Sequence, residues 1–103
     1  MTEMTKVTKD ALLAENRVVV ADFWAAWCGP CMMFAPVFGE AAENNGDKAK
    51  FVKVNVDEEP EIAVEFGIVS IPTVLAFKNG KVVKKAIGPM GKEEFENWLS
   101  DIL

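Results

Sequence analysis

The feature that most constrains the fold of this chain is an apolar segment that runs directly into a Cys-x-x-Cys sequence. The segment, Val18–Trp24, is short and apolar at all but one position, which is typical of a buried strand in a parallel sheet. Pro30 is suited to the first turn of a helix, where its missing N–H costs nothing. The sequence therefore predicts a strand, a turn carrying Cys28, and a helix that includes Cys31.

This placement favours redox chemistry at Cys28. The first N–H groups of a helix have no partner within the helix, and they carry the positive end of the helix dipole. Both effects stabilise a thiolate at Cys28, and a thiolate is the attacking species in thiol–disulfide exchange. Cys31, one turn further along, can then close a disulfide with Cys28.

Two other roles for the cysteine pair stay open at this point. As a structural cross-link, a disulfide closing so short a loop would stabilise the fold by about 2 kcal/mol, against about 3 kcal/mol for a fifteen-residue loop. Structural zinc needs four Cys or His ligands, and this chain has two Cys and no His, so two chains would have to share one ion. We therefore favour redox chemistry and expect no metal or other cofactor.

Length and charge limit the classes of protein to consider. A chain of 103 residues suffices for one core, so we expect a single domain over residues 1–103. The net charge of −5 argues against nucleic-acid and membrane-surface partners, which need basic patches. No segment is long enough to span a membrane, and residues 1–6 lack the apolar region of a secretion signal. We therefore expect a cytoplasmic protein whose cysteines stay reducible.

The remaining hydrophobic patterns predict an alternation of strands and helices. One face of the helix after the cysteines is marked by Phe34, Val37, Phe38 and Ala41, and Pro36 should kink that helix. In the first half of the chain, the other predicted elements are a strand near Thr5–Val7, a helix capped by Thr8 and a strand over 51–56. In the second half they are a helix from Pro60 to a cap at Gly67, strands over 73–77 and 82–86 joined by a tight turn at Asn79–Gly80, a break at Gly88-Pro89, and a helix around Phe95–Ile102.

The sequence resembles the thioredoxin family over essentially its whole length. The resemblance rests on Trp27-Cys28-Gly29-Pro30-Cys31, on Asp22-Phe23-Trp24-Ala25 before it, and on Ile71-Pro72-Thr73 far downstream. It implies an α/β protein with the thioredoxin fold, a central mixed five-stranded sheet flanked by four helices. It also implies a protein-disulfide reductase that acts on disulfide-containing protein substrates and is recycled by a thioredoxin reductase. We expect a monomer.

Two charged residues in predicted strands are candidates for proton transfer. Asp22 lies among apolar neighbours, and burial would raise its pKa towards neutrality, whereas at an edge or bulge it would reach water. Lys53 falls on one face of the following strand and could approach Asp22, although a solvated lysine is the more common outcome. In the family, the aspartate matching Asp22 is buried and assists proton transfer to and from the second cysteine, here Cys31. Only the resemblance favours a tuning role for Lys53.

The resemblance also implies a surface on which substrates dock. An X–Pro bond is trans by default, but the family's proline matching Pro72 is cis and faces the cysteine pair. The backbone of the preceding residue, Ile71, would pair with an extended substrate segment by β-strand addition. Gly88 matches a glycine on the third loop of this surface, although from sequence alone it is a simple strand terminator. The remaining expected site residues are Trp27, Gly29 and Pro30 in the active-site loop, and Thr73 and Met32 on the docking surface.

Two features bear on the direction of electron flow and on the choice of partner. Strongly oxidising relatives carry a His between the cysteines, whereas this chain has Gly29-Pro30 and no His, which favours a reductant. Met32 stands where the family usually has Lys or Arg, a departure that affects partner choice rather than chemistry. The competing hypotheses are a redox-independent thioredoxin-like binding module or holdase subunit, and a zinc- or cluster-bridged dimer.

Overall fold

Five strands and four helices alternate along the chain in the computed structural model, which describes residues 1–103. In chain order they are β1 (Thr2–Glu3), α1 (Lys9–Glu15), β2 (Val18–Trp24), α2 (Gly29–Asn45), β3 (Lys50–Asn55), α3 (Pro60–Glu65), β4 (Thr73–Lys78), β5 (Lys81–Ile87) and α4 (Lys92–Ser100). The predicted order is confirmed, and no helix is long and apolar enough to cross a membrane.

The predicted position of the first strand was wrong, because the residues near Thr5–Val7 form a turn. The Thr5 N–H donates to Thr8 Oγ1 at 2.9 Å, and the Lys9 N–H donates to the Thr5 carbonyl at 2.9 Å. Hydroxyl side chains that bond nearby backbone groups favour turns over strands in this way. Thr8 does precede α1, but its side chain makes no cap hydrogen bond to the helix. β1 lies earlier in the chain and pairs with β3 at only two positions.

The sheet is mixed and has the strand order β1-β3-β2-β4-β5. β1, β3 and β2 run parallel, whereas β4 and β5 are antiparallel to their neighbours. β2 lies at the centre, and every residue of it except Trp24 is buried. This position explains why β2 is apolar on both faces, and it carries the chain directly from the middle of the sheet to the cysteines.

Helices cover both faces of the sheet. On one face, α2 and α4 pack against alternate residues of β2, and the ring of Phe38 lies 5.6–6.0 Å from those of Phe34, Phe51 and Phe95. On the other face, the core includes Phe23 and Ile62. Val37, predicted on the same helical face as Phe38, is only partly buried. Pro36 lies inside α2 as predicted, and the kink expected there stays a prediction.

The turn between β4 and β5 has the predicted conformation. Asn79 and Gly80 both adopt positive φ angles, 53° and 80°. Glycine adopts such angles freely and asparagine tolerates them, and two-residue turns of this kind match the twist of the flanking strands. The Asn-Gly pair therefore sets the pairing of Lys78 with Lys81 and of Phe77 with Val82, beyond which the register of β4 and β5 shifts by one residue.

Replacing Phe38 with Ala should destabilise the fold by about 3–5 kcal/mol, because the lost ring is fully buried among three other aromatic rings. The neighbouring substitution Val37→Ala is the matched control, and because Val37 is partly exposed it should cost about 1 kcal/mol. Urea unfolding followed by circular dichroism measures both. Equal losses would contradict this assignment of the buried face of α2.

Candidate active site

The two cysteines meet at the N-terminus of α2, where they form a disulfide. Cys28 is the N-cap residue, with an extended backbone, and its Sγ accepts a hydrogen bond from the Cys31 N–H at 3.2 Å. Pro30 lies in the first turn, as predicted, and the Cα atoms of the cysteines are 5.2 Å apart. A backbone donor that α2 cannot satisfy internally is thus directed at the Cys28 sulfur.

The surroundings of Cys28 favour negative charge on its sulfur. The first turn of α2 contains no acidic residue, so nothing within it opposes the positive end of the helix dipole. Cys28 is 5% exposed and Cys31 is 1% exposed, whereas Gly29 and Pro30 between them are exposed. Of the two sulfurs, that of Cys28 therefore lies at the helix N-terminus and is also the more accessible to the disulfide of another molecule.

Asp22 is fully buried beside Lys53, on the face of the sheet that α2 covers. The two residues are register partners on β2 and β3, and Lys53 Nζ lies 3.6 Å from Asp22 Oδ2. Neither carboxylate oxygen accepts a hydrogen bond. Burial raises the pKa of Asp22 to about 6, against the opposing effect of the Lys53 charge. Lys53 Nζ also lies 4.6 Å from the ring centroid of Trp24, which holds the amine against an aromatic face.

A second loop approaches Cys28 from the start of β4. The Ile71–Pro72 peptide bond is cis, as the resemblance implied, and the Ile71 carbonyl oxygen lies 3.8 Å from Cys28 Sγ. Thr73, which follows Pro72, is buried and donates its hydroxyl to the Ser70 carbonyl at 2.6 Å. The loop is thus held beside the cysteine pair by its own hydrogen bonds.

Gly88 lies in the loop next to Pro72, and its backbone conformation explains why this position is a glycine. The Gly88 N–H donates to the Pro72 carbonyl at 2.8 Å, and Gly88 has a φ of 96°. Side chains are strained at such an angle, so glycine permits the strand to end here while its N–H supports the Pro72 loop. The structure thus brings three sequence-distant site residues together: Cys28, Pro72 and Gly88.

Large apolar side chains flank the cysteines. Trp27 is 72% exposed, Met32 is 42% exposed and Met33 is 75% exposed. The Met32 N–H donates to the Cys28 carbonyl at 3.1 Å, so the side chain leaves α2 within one turn of the reactive sulfur. A substrate segment reaching Cys28 would contact these side chains.

The sequence analysis missed two residues that shape the edge of the site. The Trp27 Nε1–H donates to Asp57 Oδ2 at 2.8 Å, which fixes the indole ring. Asn55 Oδ1 in turn accepts hydrogen bonds from the N–H groups of Asp57 and Glu58, at 2.9 and 3.3 Å. An asparagine at the end of a strand, two residues before an acidic run, is a signal for such a side-chain-capped turn. The partnership with Trp27 had no local signal.

Comparison with known proteins decides the family. The sequence model of the thioredoxin family matches residues 2–101. This chain belongs to the thioredoxin family. The thioredoxin of Alicyclobacillus acidocaldarius is 53% identical over 88 residues, which cover 85% of this chain and 84% of that protein. The bifunctional thioredoxin reductase/thioredoxin of Mycobacterium leprae is 45% identical over 92 residues, covering 89% of this chain and 20% of that protein.

The fold and the activity class follow from the same comparisons. A solved structure of Plasmodium falciparum thioredoxin superimposes with a TM-score of 0.93 at 31% identity and covers all of both chains. The thioredoxin fold implied by the sequence is therefore confirmed. The family, together with a Cys28–Cys31 disulfide at the start of α2, makes this protein a thiol–disulfide oxidoreductase.

Replacing Asp22 with Asn should stabilise the oxidised protein at neutral pH, because burial raises the pKa of Asp22 to about 6 from about 3.9 in the unfolded chain. A raised pKa means that the stability Asp22 contributes is complete below pH 4 and is lost as the pH rises through 6. Between pH 3.5 and pH 7.5 the variant should therefore gain about 3 kcal/mol relative to the native protein. Denaturant unfolding at both pH values measures this gain.

The exposed carboxylate of Asp47 provides the matched control for this experiment. Asp47→Asn removes the same charge without relieving a buried carboxylate, so the pH dependence of its stability should follow that of the native protein. If Asp22→Asn behaves like Asp47→Asn, then Asp22 does not ionise at a cost within the fold.

Proposed function

We propose that this protein reduces protein disulfides, with Cys28 as the nucleophile and Cys31 as the resolving cysteine. The observation that carries the proposal is the position of Cys28 at the N-cap of α2, where its sulfur accepts the Cys31 N–H and is the more exposed of the pair. A helix N-terminus lowers the pKa of a thiol placed there and so supplies the thiolate that exchange requires.

The reaction has two exchange steps. The Cys28 thiolate attacks one sulfur of the substrate disulfide, a Cys28–substrate bond forms, and the other substrate sulfur leaves as a thiolate that takes up a proton. Cys31 then loses its proton and attacks Cys28 Sγ, so that the Cys28–Cys31 bond forms and the mixed disulfide breaks. The substrate gains the two electrons that the cysteine pair loses.

Asp22 is our candidate for the group that accepts the Cys31 proton. A carboxylate with a pKa of about 6 can both take up and release a proton near neutral pH. Lys53 favours the ionised form of Asp22 from 3.6 Å, and we propose that it tunes the pKa of Asp22 without contacting the substrate. Asp22 is buried in the layer between the sheet and α2, the helix that carries Cys31.

The docking surface consists, in our proposal, of the loops that meet beside Cys28. An extended substrate segment would pair with the backbone of Ile71, next to Pro72 and Thr73, in the manner of an added strand. Gly88, hydrogen-bonded to Pro72, leaves space at the third loop. Trp27 and Met32 provide apolar contacts, while Gly29 and Pro30 form the exposed first turn of α2 beside Cys28. Main-chain pairing of this kind accepts many sequences.

Regeneration of the dithiol requires an external electron donor, and we propose a thioredoxin reductase. The printed name of the Mycobacterium leprae relative joins the two activities in one protein, which supports this pairing. The chain itself contains no glycine-rich dinucleotide-binding sequence. We also propose that the protein acts as a monomer in the cytoplasm, a compartment that keeps such cysteine pairs reducible.

The reductase proposal predicts a sharp difference between two single-cysteine variants. With insulin as substrate and dithiothreitol as reductant, both Cys28→Ser and Cys31→Ser should lose catalysed reduction. Cys31→Ser retains the nucleophile but not the group that resolves the mixed disulfide. After prereduction and removal of the dithiothreitol, which would cleave the adduct, it should trap a covalent insulin adduct, visible on a non-reducing gel. Cys28→Ser lacks the nucleophile and should trap little.

The same variants separate reduction from a purely binding role. A binding module or holdase would keep its partners when both cysteines are replaced by Ser, whereas a reductase would lose all turnover. Trapping mainly by Cys28→Ser would reverse the assigned roles. Full insulin reduction by either single variant would contradict the two-step mechanism.

A further inference from the structure

The surface around the cysteine pair is devoid of cationic residues. Four segments meet there: residues 27–33 with the cysteines, 55–61 with Asp57, 67–72 with Ile71, and 88–91 with Gly88, and none contains Lys or Arg. The whole of α2, Gly29–Asn45, also lacks Lys and Arg. Eleven Lys and Arg side chains are therefore placed elsewhere on the molecule.

Of the cations close to these segments, Lys85, three residues before Gly88, is exposed and makes no ion pair, whereas Lys53, Lys92 and Lys6 each contact a carboxylate. Lys53 is mostly buried beside Asp22, and Lys92 bonds Glu40 at 3.0 Å. Lys6 Nζ forms an ion pair with Glu61 at 3.0 Å, and the Lys6 backbone N–H donates a hydrogen bond to the Glu59 carboxylate. The charges of Lys53, Lys92 and Lys6 are thus partly offset by neighbouring carboxylates, and the exposed pairs of Lys6 and Lys92 contribute little energy.

Two carboxylates at the edge of the site have no cationic partner. The Asp57 carboxylate accepts a hydrogen bond from the Trp27 indole N–H, and the Glu58 side chain makes no hydrogen bond or ion pair. Both residues are exposed to solvent. Asn55 holds the backbone of both residues, so their position is fixed by the turn that follows β3. Trp27, whose indole N–H binds Asp57, is the residue directly before Cys28.

We infer that this face selects disulfides flanked by lysine or arginine together with an apolar residue. The inference rests on the proposed function and specifies the substrate class for the same site. The apolar contact would be made by Trp27, Met32 and Met33, all of them exposed. The basic residue of the partner would meet Asp57 and Glu58. Acidic partners would meet two carboxylates without ion pairs and no cation on these four segments, so they are disfavoured.

Coulomb's law sets the size of the effect. In water, a unit charge about 8 Å from a carboxylate changes the association constant of the encounter complex by a factor of about two. Exchanging Lys for Glu in the partner turns attraction into repulsion at both carboxylates. At about 20 mM ionic strength this predicts roughly a tenfold preference for the basic substrate. At about 0.3 M the Debye length falls below the separation, and the preference should shrink to roughly twofold.

The test uses two cyclic peptides that carry one disulfide each and differ only in a flanking Lys or Glu. Their kcat/KM values are measured with the intact protein and dithiothreitol as reductant, and each is divided by the rate of the same peptide with 2-mercaptoethanol. That division removes the intrinsic effect of the flanking charge on disulfide reactivity. Glu58→Gln should lower the Lys-to-Glu preference about threefold at low salt, and Met32→Lys should lower it further.

Glu43→Gln is the matched control, because it removes the same charge from the far end of α2. Glu43 is exposed and lies 14 residues beyond Gly29, about 20 Å along the helix. The Cys28 pKa is measured in each variant by alkylation against pH, so that altered thiolate fractions are corrected. The inference is supported if Glu58→Gln changes the preference and Glu43→Gln does not.

The outcomes distinguish this inference from the proposed function. Equal reduction of both peptides, or equal effects of Glu58→Gln and Glu43→Gln, would overturn the charge preference and leave the reductase proposal intact. Reduction of neither peptide at a rate above dithiothreitol alone would overturn both. Preference for the Glu peptide would also overturn the charge preference inferred here.

Discussion

The hydrogen bond from the Cys31 N–H to Cys28 Sγ is the interaction on which the chemistry of this protein depends. It forms because the central strand β2 ends just before Cys28, which is the N-cap residue of α2. The first turn of α2 contains no acidic residue that would oppose negative charge on the sulfur. The sulfur takes the place of the side-chain oxygen that usually caps a helix. In the proposed mechanism, the helix cap and the nucleophile are therefore the same atom, Cys28 Sγ.

A second constraint on the site is the free-energy cost of burying the Asp22 carboxylate between the sheet and α2. A buried carboxylate without hydrogen bonds is unfavourable when ionised, and Lys53 at 3.6 Å offsets only part of that cost. The register of β2 against β3 places the pair opposite each other, so the arrangement is set by strand pairing. Stability given up at Asp22 is consistent with a role in the reaction, because a site that served packing alone would hold an apolar residue.

Most of the fold could be predicted from local sequence because its patterns are unambiguous. The apolar run of β2, the Asn79–Gly80 turn and the heptad-like spacing of Phe34, Phe38 and Ala41 each have one favoured structure. The first strand could not be placed, since two residues give no periodicity and the hydroxyls at positions 5 and 8 compete for the backbone. Register and long-range contacts also lay beyond reach. The Asp57–Trp27 bond joins residues 30 apart, and the approach of Ile71 to Cys28 joins residues 43 apart. For Pro72 and Lys53, the resemblance to the family supplied what the local pattern did not.

The measurement that tests the central claim most directly is the pH dependence of alkylation at each cysteine in the reduced protein. Iodoacetamide labelling, read by mass spectrometry of the two modified peptides, gives both rates in one experiment. If the helix N-terminus activates Cys28, that residue should be labelled well before Cys31 at pH 7, with an apparent pKa below the ordinary thiol value of about 8.5. Equal labelling, earlier labelling of Cys31, or an ordinary pKa at Cys28 would contradict the account.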